Sequence, residues 1–170
     1  MPTLHVCSLS RLHETVLATG ASHVVTLINS DTVVECPSSI HPERHLFIGV
    51  SDILEPLEGH ILPAVDHVET LLAFVRRWER EQPLVFHCFA GISRSTAGAF
   101  IAACTLAPER TEVEIARALR EASPSATPNA RMIAVADDLL GRGGRMVDAV
   151  RLIGRGSYAL EGEPFTLRIG

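Results

Sequence analysis

The sequence lacks lysine altogether: its 15 basic residues are all arginines, against 20 acidic residues in a chain of 170. This absence excludes a lysine Schiff base and nucleotide binding by a Walker loop, since both require a lysine side chain. Long hydrophobic runs are also missing, and none approaches the roughly 20 apolar residues that span a bilayer. With a net charge of −5 and no basic stripe, we expect neither a membrane nor a nucleic acid as partner.

Cysteines are few, and their spacing contains no C-x-x-C pair. The amino-terminal residues show no cationic start followed by an apolar run, so we expect free thiols in the reducing cytoplasm. His41 and His45 are four residues apart, but Pro42 between them argues against a helical metal-binding pair. We therefore predict that the protein needs no metal and no cofactor. The sequence has four cysteines, which are Cys7, Cys36, Cys88 and Cys104.

Strand and helix patterns alternate in the first half of the chain, which predicts an α/β fold with a central, mostly parallel sheet of four to five strands. The length of 170 residues suits a single domain, residues 1–170. Residues 154–170 are expected to form an irregular tail with a short strand at 165–169. The other predicted strands are 4–8, 23–29, 45–50 and 84–88. The predicted helices that flank the sheet are 10–19, 61–80, 95–106, 111–122, 129–140 and 146–153.

The helix predicted over 61–80 has the clearest apolar face. Five residues recur at helical spacing and are expected to pack in the core or at its edge: Ile61, Val65, Val68, Leu72 and Val75. In the helix predicted over 129–140, by contrast, the adjacent acids Asp137 and Asp138 are expected to lie on a solvated face.

Residues 84–95, LVFHCFAGISRS, carry the clearest functional signal. An apolar strand pattern runs into Cys88, neutral residues and then Arg94 follow, and Ser95 opens a helical pattern. The backbone N–H groups of such a loop can turn inward at the helix end, where they form a nest that suits an anion. A phosphate group would fit this nest, and a Cys88 thiolate at its floor could attack the phosphorus.

Three further residues of the loop suit the same chemistry. Arg94 offers a planar fork that can hold two phosphoryl oxygens, a geometry that a lysine could not supply. Gly91 permits the close backbone approach that a tight loop demands. Ser95 could donate a hydrogen bond to the cysteine sulfur when the sulfur becomes the leaving group.

The string His87-Cys88-x5-Arg94-Ser95 resembles the signature of the cysteine-dependent protein tyrosine phosphatases, and HCFAGISRS most resembles their dual-specificity branch, with a small bacterial member as the expected kind. The resemblance implies a two-step, metal-free reaction through a phosphocysteine, with Cys88 as nucleophile. Ser95 would assist breakdown of that intermediate, and His87 would help to fix the loop and the thiolate. The implied phosphate clamp is Arg94 with the backbone of Phe89, Ala90, Gly91, Ile92, Ser93 and Arg94.

The family also uses an aspartate as general acid and then base, on a loop that follows a strand some tens of residues before the cysteine. Asp52, which follows the strand pattern 45–50, is our candidate, with Glu55 and Glu58 as fallback acids. A turn-capping aspartate is the alternative reading of Asp52. The pair Pro128-Asn129 resembles a motif whose asparagine amide braces the signature loop, and an ordinary helix N-cap is the alternative for Asn129.

These residues favour a phosphatase that hydrolyses phosphate monoesters, with a phosphorylated protein or a small phosphoester as substrate. The neutral loop residues Phe89, Ala90 and Ile92 argue against phosphoinositides, because phosphatases of that class often carry lysines there. Two other functions stay open: a phospho-binding module that has lost turnover, and a sulfurtransferase resembling the rhodaneses. The sequence does not choose between phosphotyrosine, phosphoserine and a metabolite.

Overall fold

The computed structural model describes residues 2–170 and contains a five-stranded sheet. The strand order is β3-β2-β4-β1-β5; β1 to β4 run parallel, and β5 pairs antiparallel with β1. This confirms the predicted α/β fold with a mostly parallel sheet. The strands are β1 (Thr3–Ser8), β2 (His23–Ile28), β3 (His45–Gly49), β4 (Leu84–Cys88) and β5 (Phe165–Arg168).

Six helices cover the two faces of the sheet. Apolar residues of α1 pack with Cys7, Val24 and Val85 on one face, and the larger core, which includes Phe86, lies on the other face. No helix in residues 2–170 has the length and hydropathy of a membrane span. The helices are α1 (Leu12–Thr19), α2 (Val65–Arg77), α3 (Arg94–Leu106), α4 (Glu112–Ala122), α5 (Ala130–Leu139) and α6 (Arg145–Ile153).

The central helix is α3, in which every residue but Thr105 is buried. It lies close to the sheet because Gly98 has no side chain: a Cβ there would lie 2.7 Å from Leu27 Cδ1 and 2.9 Å from Phe86 Cδ1. The amino-terminal end of α3 is therefore held directly beside the carboxyl ends of the parallel strands. Ligands of open α/β sheets bind at that edge.

The helix predicted over 61–80 is shorter than expected, because α2 begins only at Val65. Pro63 explains the late start, since proline has no N–H and disfavours helical backbone in the residue before it. Of the five apolar residues that the sequence placed in the core or at its edge, Ile61 and Val65 lie outside the core, because they are 39% and 49% exposed. The buried face of α2 is instead formed by Val68, Leu71, Leu72, Phe74 and Val75.

The prediction of a solvated Asp137 is also wrong, whereas Asp138 is exposed as expected. Asp137 is buried, and its carboxylate accepts hydrogen bonds from the N–H groups of Gly144 at 2.7 Å and Met146 at 2.7 Å. These groups lie at the start of α6, where helical N–H groups have no partner within the helix. Asp137 therefore caps the next helix along the chain from a buried position.

Candidate active site

The loop between β4 and α3 surrounds the Cys88 thiol. The Cys88 side chain is buried, and its Sγ lies 3.1 Å from Ser95 Oγ and 3.3 Å from the Gly91 nitrogen, which donates to it. Gly91 has φ +73°, and a Cβ there would lie 2.8 Å from the Cys7 carbonyl carbon and the Ser8 nitrogen. Both the backbone conformation and the space therefore require glycine at this position.

Four carbonyl groups of the loop point outward and accept hydrogen bonds from the surrounding backbone. The C=O and N–H groups of a planar trans peptide point in opposite directions, so the N–H groups of residues 90, 91, 93 and 94 turn inward. Successive inward N–H groups form a concave anion site. The carbonyl of Phe89 accepts from Leu9 N–H (3.1 Å), Ala90 from Gly162 (2.8 Å), Ile92 from Thr127 (2.9 Å) and Ser93 from Asn129 (3.2 Å).

The Arg94 guanidinium is buried and held on one side only. Its Nη1 donates to Asn29 Oδ1 at 2.7 Å and to the Val50 carbonyl at 2.9 Å. Its Nε is buried and has no hydrogen-bond partner in residues 2–170. A buried N–H without a partner costs about 1–3 kcal/mol, so an oxyanion that accepts from Nε would remove this cost. Asn29 was not predicted as a site residue, although it follows β2 at the ligand-binding edge of the sheet.

Asp52 lies over the loop, on the segment that follows β3. The side chain is exposed, and Oδ1 accepts from Ser93 Oγ at 2.7 Å and from Asn129 Nδ2 at 2.9 Å. Two donors on one oxygen fix the carboxyl group relative to the loop. Glu55 and Glu58 are exposed further along the same segment. Of the three candidate acids, Asp52 is therefore the one that contacts the loop between β4 and α3.

Asn129 contacts both the loop and α5. Its backbone N–H bonds to the Ser93 carbonyl, while its side-chain Oδ1 accepts from Met132 N–H at 3.0 Å and caps α5. The side-chain amide differs from the expectation, because Nδ2 donates to Asp52 and not to the loop. Asn129 thus connects the candidate acid, the loop and α5.

His87 precedes Cys88 and is fully buried. Burial lowers the pKa of His87 to about 4, so its imidazole is neutral near pH 7. Its Nε2 lies 2.7 Å from Thr26 Oγ1. Burial also raises the pKa of the Cys7 thiol to about 11 and that of Cys104 to about 12. Those two thiols are therefore protonated at physiological pH.

The carboxyl-terminal segment 154–164 forms one wall of the site, a role that the sequence did not indicate. Glu161 accepts hydrogen bonds from Ser8 and Ser10, and the N–H of Gly162 bonds to the loop at Ala90. Residues 155–159 of this segment line an open depression of about 530 Å³, together with Asp52 and with Ile92 and Ser93 of the loop.

No protein-family model and no curated protein sequence matches the chain. Solved structures do: DUSP15 aligns with a TM-score of 0.66 at 17% identity over 90% of this chain and 91% of its own. The PTP-2 phosphatase of Cydia pomonella gives 0.62 at 18% identity, over 79% and 84%. The human tyrosine phosphatase-like serine/threonine/tyrosine-interacting protein gives 0.63 at 14%, over 82% and 92%. The chain therefore has the fold of the dual-specificity-like phosphatases.

Proposed function

We propose that this protein is a phosphatase that hydrolyses phosphate monoesters through a phosphocysteine intermediate, in the manner of protein tyrosine and dual-specificity phosphatases. The observation that carries the proposal is the buried Nε of Arg94, which has no hydrogen-bond partner among residues 2–170 and lies beside a loop whose N–H groups turn inward around Cys88. Such an arrangement suits a dianion held over a thiol, because each inward donor gains an oxygen acceptor when phosphate binds.

In the first step the Cys88 thiolate attacks phosphorus, so an S–P bond forms while the P–O bond to the leaving group breaks. The departing oxygen takes a proton from Asp52, which the hydrogen bonds from Ser93 and Asn129 hold over the loop. The inward N–H groups and Arg94 stabilise the charge on the three other oxygens throughout. The leaving alcohol then departs into the depression that Asp52 lines.

In the second step water attacks the phosphocysteine. Asp52, now a carboxylate, accepts a proton from this water, the S–P bond breaks, and inorganic phosphate leaves. Ser95 Oγ, 3.1 Å from Sγ, donates to the sulfur as it takes up the electron pair. As proposed, the two steps use only side chains and backbone of the protein, and a reducing, cytoplasmic setting would keep the Cys88 thiol free.

We propose a phosphotyrosine or dual-specificity protein substrate, with a small phosphoester as the alternative. The side chains of the loop residues carry no charge until Arg94, which gives no extra cations for a polyphosphorylated lipid headgroup. The contact between Asp52 and the loop favours turnover over a purely phospho-binding module. It also favours phosphoryl transfer over sulfur transfer, since only the former uses a proton donor to an alkoxide.

Hydrolysis of p-nitrophenyl phosphate by purified protein tests the proposal. Wild-type protein under reducing conditions should release p-nitrophenol between pH 5 and 8, whereas Cys88→Ser should release none. A matched control is Cys36→Ser, which changes a half-buried thiol that bonds to the Pro37 and Ile40 carbonyls, outside the loop around Cys88. Inactive wild-type protein, or an active Cys88→Ser variant, would contradict the mechanism. Sulfur transfer from thiosulfate without phosphate release would support the rhodanese reading instead.

A further inference from the structure

An arginine lines the open depression beside the loop between β4 and α3. The depression is bordered by Ile92 and Ser93 of the loop, by Asp52 and by residues 155–159 of the carboxyl-terminal segment. Among its lining residues in the part of the chain that the structure describes, Arg155 and Asp52 are the charged ones. The others offer hydroxyl groups, backbone or apolar side chains. A negatively charged group that enters the depression therefore meets Arg155 as its counterion.

The backbone on both sides of Arg155 is fixed by hydrogen bonds. On the amino-terminal side, the Gly154 carbonyl accepts from Arg120 Nη2 at 2.8 Å. On the other side, the Gly156 N–H donates to Thr127 Oγ1 at 3.1 Å. The backbone of Arg155 is therefore held at the edge of the depression, although it belongs to a segment without regular secondary structure.

The same segment packs against the part of the chain that supports the loop. A Cβ on Gly156 would lie 2.5 Å from the Ser125 carbonyl carbon, so the two stretches of backbone are in direct contact. Thr127, which accepts from Gly156, donates its own N–H to the Ile92 carbonyl at 2.9 Å. These contacts fix the backbone of Arg155 relative to the loop that surrounds Cys88.

The Arg155 guanidinium is exposed and forms no salt bridge in the described part of the chain. The two acids of the same segment have other partners: Glu161 accepts from two serines, and Glu163 Oε2 lies 3.6 Å from Arg11 Nη1. The Asp52 carboxylate accepts from two neutral side chains. The guanidinium is therefore available for an anion that a ligand brings.

The position of Asp52 indicates where the rest of a substrate lies. A general acid must come within about 2.6–3.2 Å of the oxygen that it protonates. With Asp52 as the acid, the leaving group of the substrate points toward Asp52, and Asp52 also lines the depression. In a phosphopeptide, the residues next to the phosphorylated side chain belong to this leaving group. They can therefore reach the depression while the phosphate occupies the loop.

We propose that Arg155 is a specificity-determining residue that binds a second anionic group of a phosphopeptide, either the carboxylate of a nearby acidic residue or a second phosphate. A guanidinium suits both anions because its planar fork can donate two parallel hydrogen bonds. The protein has a net charge of −5 and repels acidic peptides as a whole, so their binding requires such a local cation. The inference rests on the proposed function and specifies its substrate class.

Steady-state hydrolysis of matched phosphotyrosine peptides tests the proposal. The peptides carry glutamine, glutamate or phosphoserine at each of the two positions on either side of the phosphotyrosine, and the tyrosine product is followed. At one or more of these positions, wild-type kcat/KM should exceed that of the glutamine peptide by about threefold for glutamate or about tenfold for phosphoserine. The preferred residue identifies which of the two anions Arg155 binds.

Substitutions of Arg155 test whether this preference depends on its guanidinium. Arg155→Gln should reduce the ratio to about one, and Arg155→Lys should retain a preference of about twofold, because lysine keeps the charge and loses the fork. Arg151→Gln is the matched control, since it removes an exposed arginine of α6 that does not line the depression. A wild-type protein without a preference, or a preference that Arg155→Gln retains, would overturn the proposal.

Binding of fluorescent peptides to Cys88→Ser protein separates this inference from the proposed function. The preferred anionic peptide should bind about threefold more tightly than its glutamine partner, and the double variant with Arg155→Gln should lose the difference. Equal affinities, in a protein whose wild type hydrolyses p-nitrophenyl phosphate, would overturn the role of Arg155 and leave the phosphatase standing. A preference that depends on Arg155, in a protein whose wild type hydrolyses no phosphoester, would support the role of Arg155 and remove the proposed function.

Discussion

At the scale of single residues, we expect that replacing the carboxyl group of Asp52 by an amide lowers turnover strongly and leaves phosphate binding unchanged. Asp52→Asn keeps a group that can bond to Ser93 and Asn129 but cannot donate a proton to an alkoxide. We expect kcat for a phosphotyrosine peptide to fall about 10²-fold, with inhibition by inorganic phosphate unchanged. Steady-state kinetics check this, with Glu55→Gln and Glu58→Gln as controls that should remain near wild type. Full activity of Asp52→Asn on a poor leaving group would remove Asp52 from the mechanism.

Replacing Asn29 should cause a different kind of defect, which is a loss of affinity for phosphate and not of proton transfer. Its Oδ1 holds Arg94 Nη1 at 2.7 Å, and a hydrogen bond to a charged group contributes about 1.5–3 kcal/mol. Asn29→Ala should therefore weaken inhibition by inorganic phosphate about tenfold, while Arg94→Lys, which loses the fork itself, should be more severe. Inhibition constants measured at one pH check both. An Asn29→Ala variant that binds phosphate as tightly as wild type would show that Val50 alone positions the arginine.

The site residues differ in how far the sequence could predict them. Cys88, Arg94 and the loop residues were predicted together because one contiguous string places a nucleophile and a cation on a strand-to-helix turn. Asn29 was not, since it follows β2, which only the sheet order brings beside β4. The contact of Asn129 with Asp52 spans 77 positions. Such pairs have no local pattern, and only the packing of loops at the sheet edge creates them.

At the scale of secondary-structure elements, Asp137 predicts a loss of stability without a loss of chemistry. Its carboxylate accepts from backbone N–H groups at the start of α6, and α6 packs against α4 and α5, away from the loop. Asp137→Ala should lower the free energy of unfolding by about 2 kcal/mol, because it leaves buried donors unpaired. The neighbouring Asp138→Ala, on the exposed side, should change it by less than about 0.5 kcal/mol. Urea denaturation of both variants checks the contrast.

The irregular segment 154–164 is expected to support the conformation of the loop, and Gly162 is the residue that tests this. A Cβ on Gly162 would lie 2.8 Å from the Gly91 carbonyl oxygen, so even alanine should push the segment away. The Ala90 carbonyl would then lose its donor, and the Gly91 N–H on the same peptide would lose its fixed direction. We expect Gly162→Ala to reduce kcat/KM about tenfold, an effect of about 1.4 kcal/mol. Gly170→Ala, where a Cβ meets open space, is the control; equal kinetics for the two variants would contradict a structural role for this wall.

At the scale of the whole molecule, regular periodicity and alternation were enough to predict the architecture. Four strands with buried, β-branched patterns and the helices between them required a mostly parallel sheet. The pattern could not reveal that a strand at the end of the chain, β5, would return to pair with β1. It also missed the direct contact of residues 154–164 with the loop, because segments without periodicity carry no signal of where they pack.

The buried titratable groups of the whole molecule predict a plateau of stability between about pH 6.5 and 9. His87 has a pKa of about 4 when folded and 6.5 in the unfolded chain, so below pH 6.5 the unfolded state binds more protons and stability falls toward pH 4. Lowered pKa values of His5, His23 and His45 act in the same direction. At the alkaline end, the pKa of Cys7 rises from 9.0 to about 11, so its contribution is lost as pH rises through that range.

Urea denaturation between pH 4.5 and 7.5 measures the acidic side of this plateau. From the pKa of His87 alone, the free energy of unfolding should fall by about 2–3 kcal/mol over this range. In His87→Gln the change with pH should be smaller by that amount, even if the variant is less stable at every pH. Comparing slopes within each variant separates titration from lost packing, because packing does not depend on pH. A wild-type slope that His87→Gln leaves unchanged would mean that the imidazole is solvated and charged near pH 6, which its complete burial on the sheet opposes.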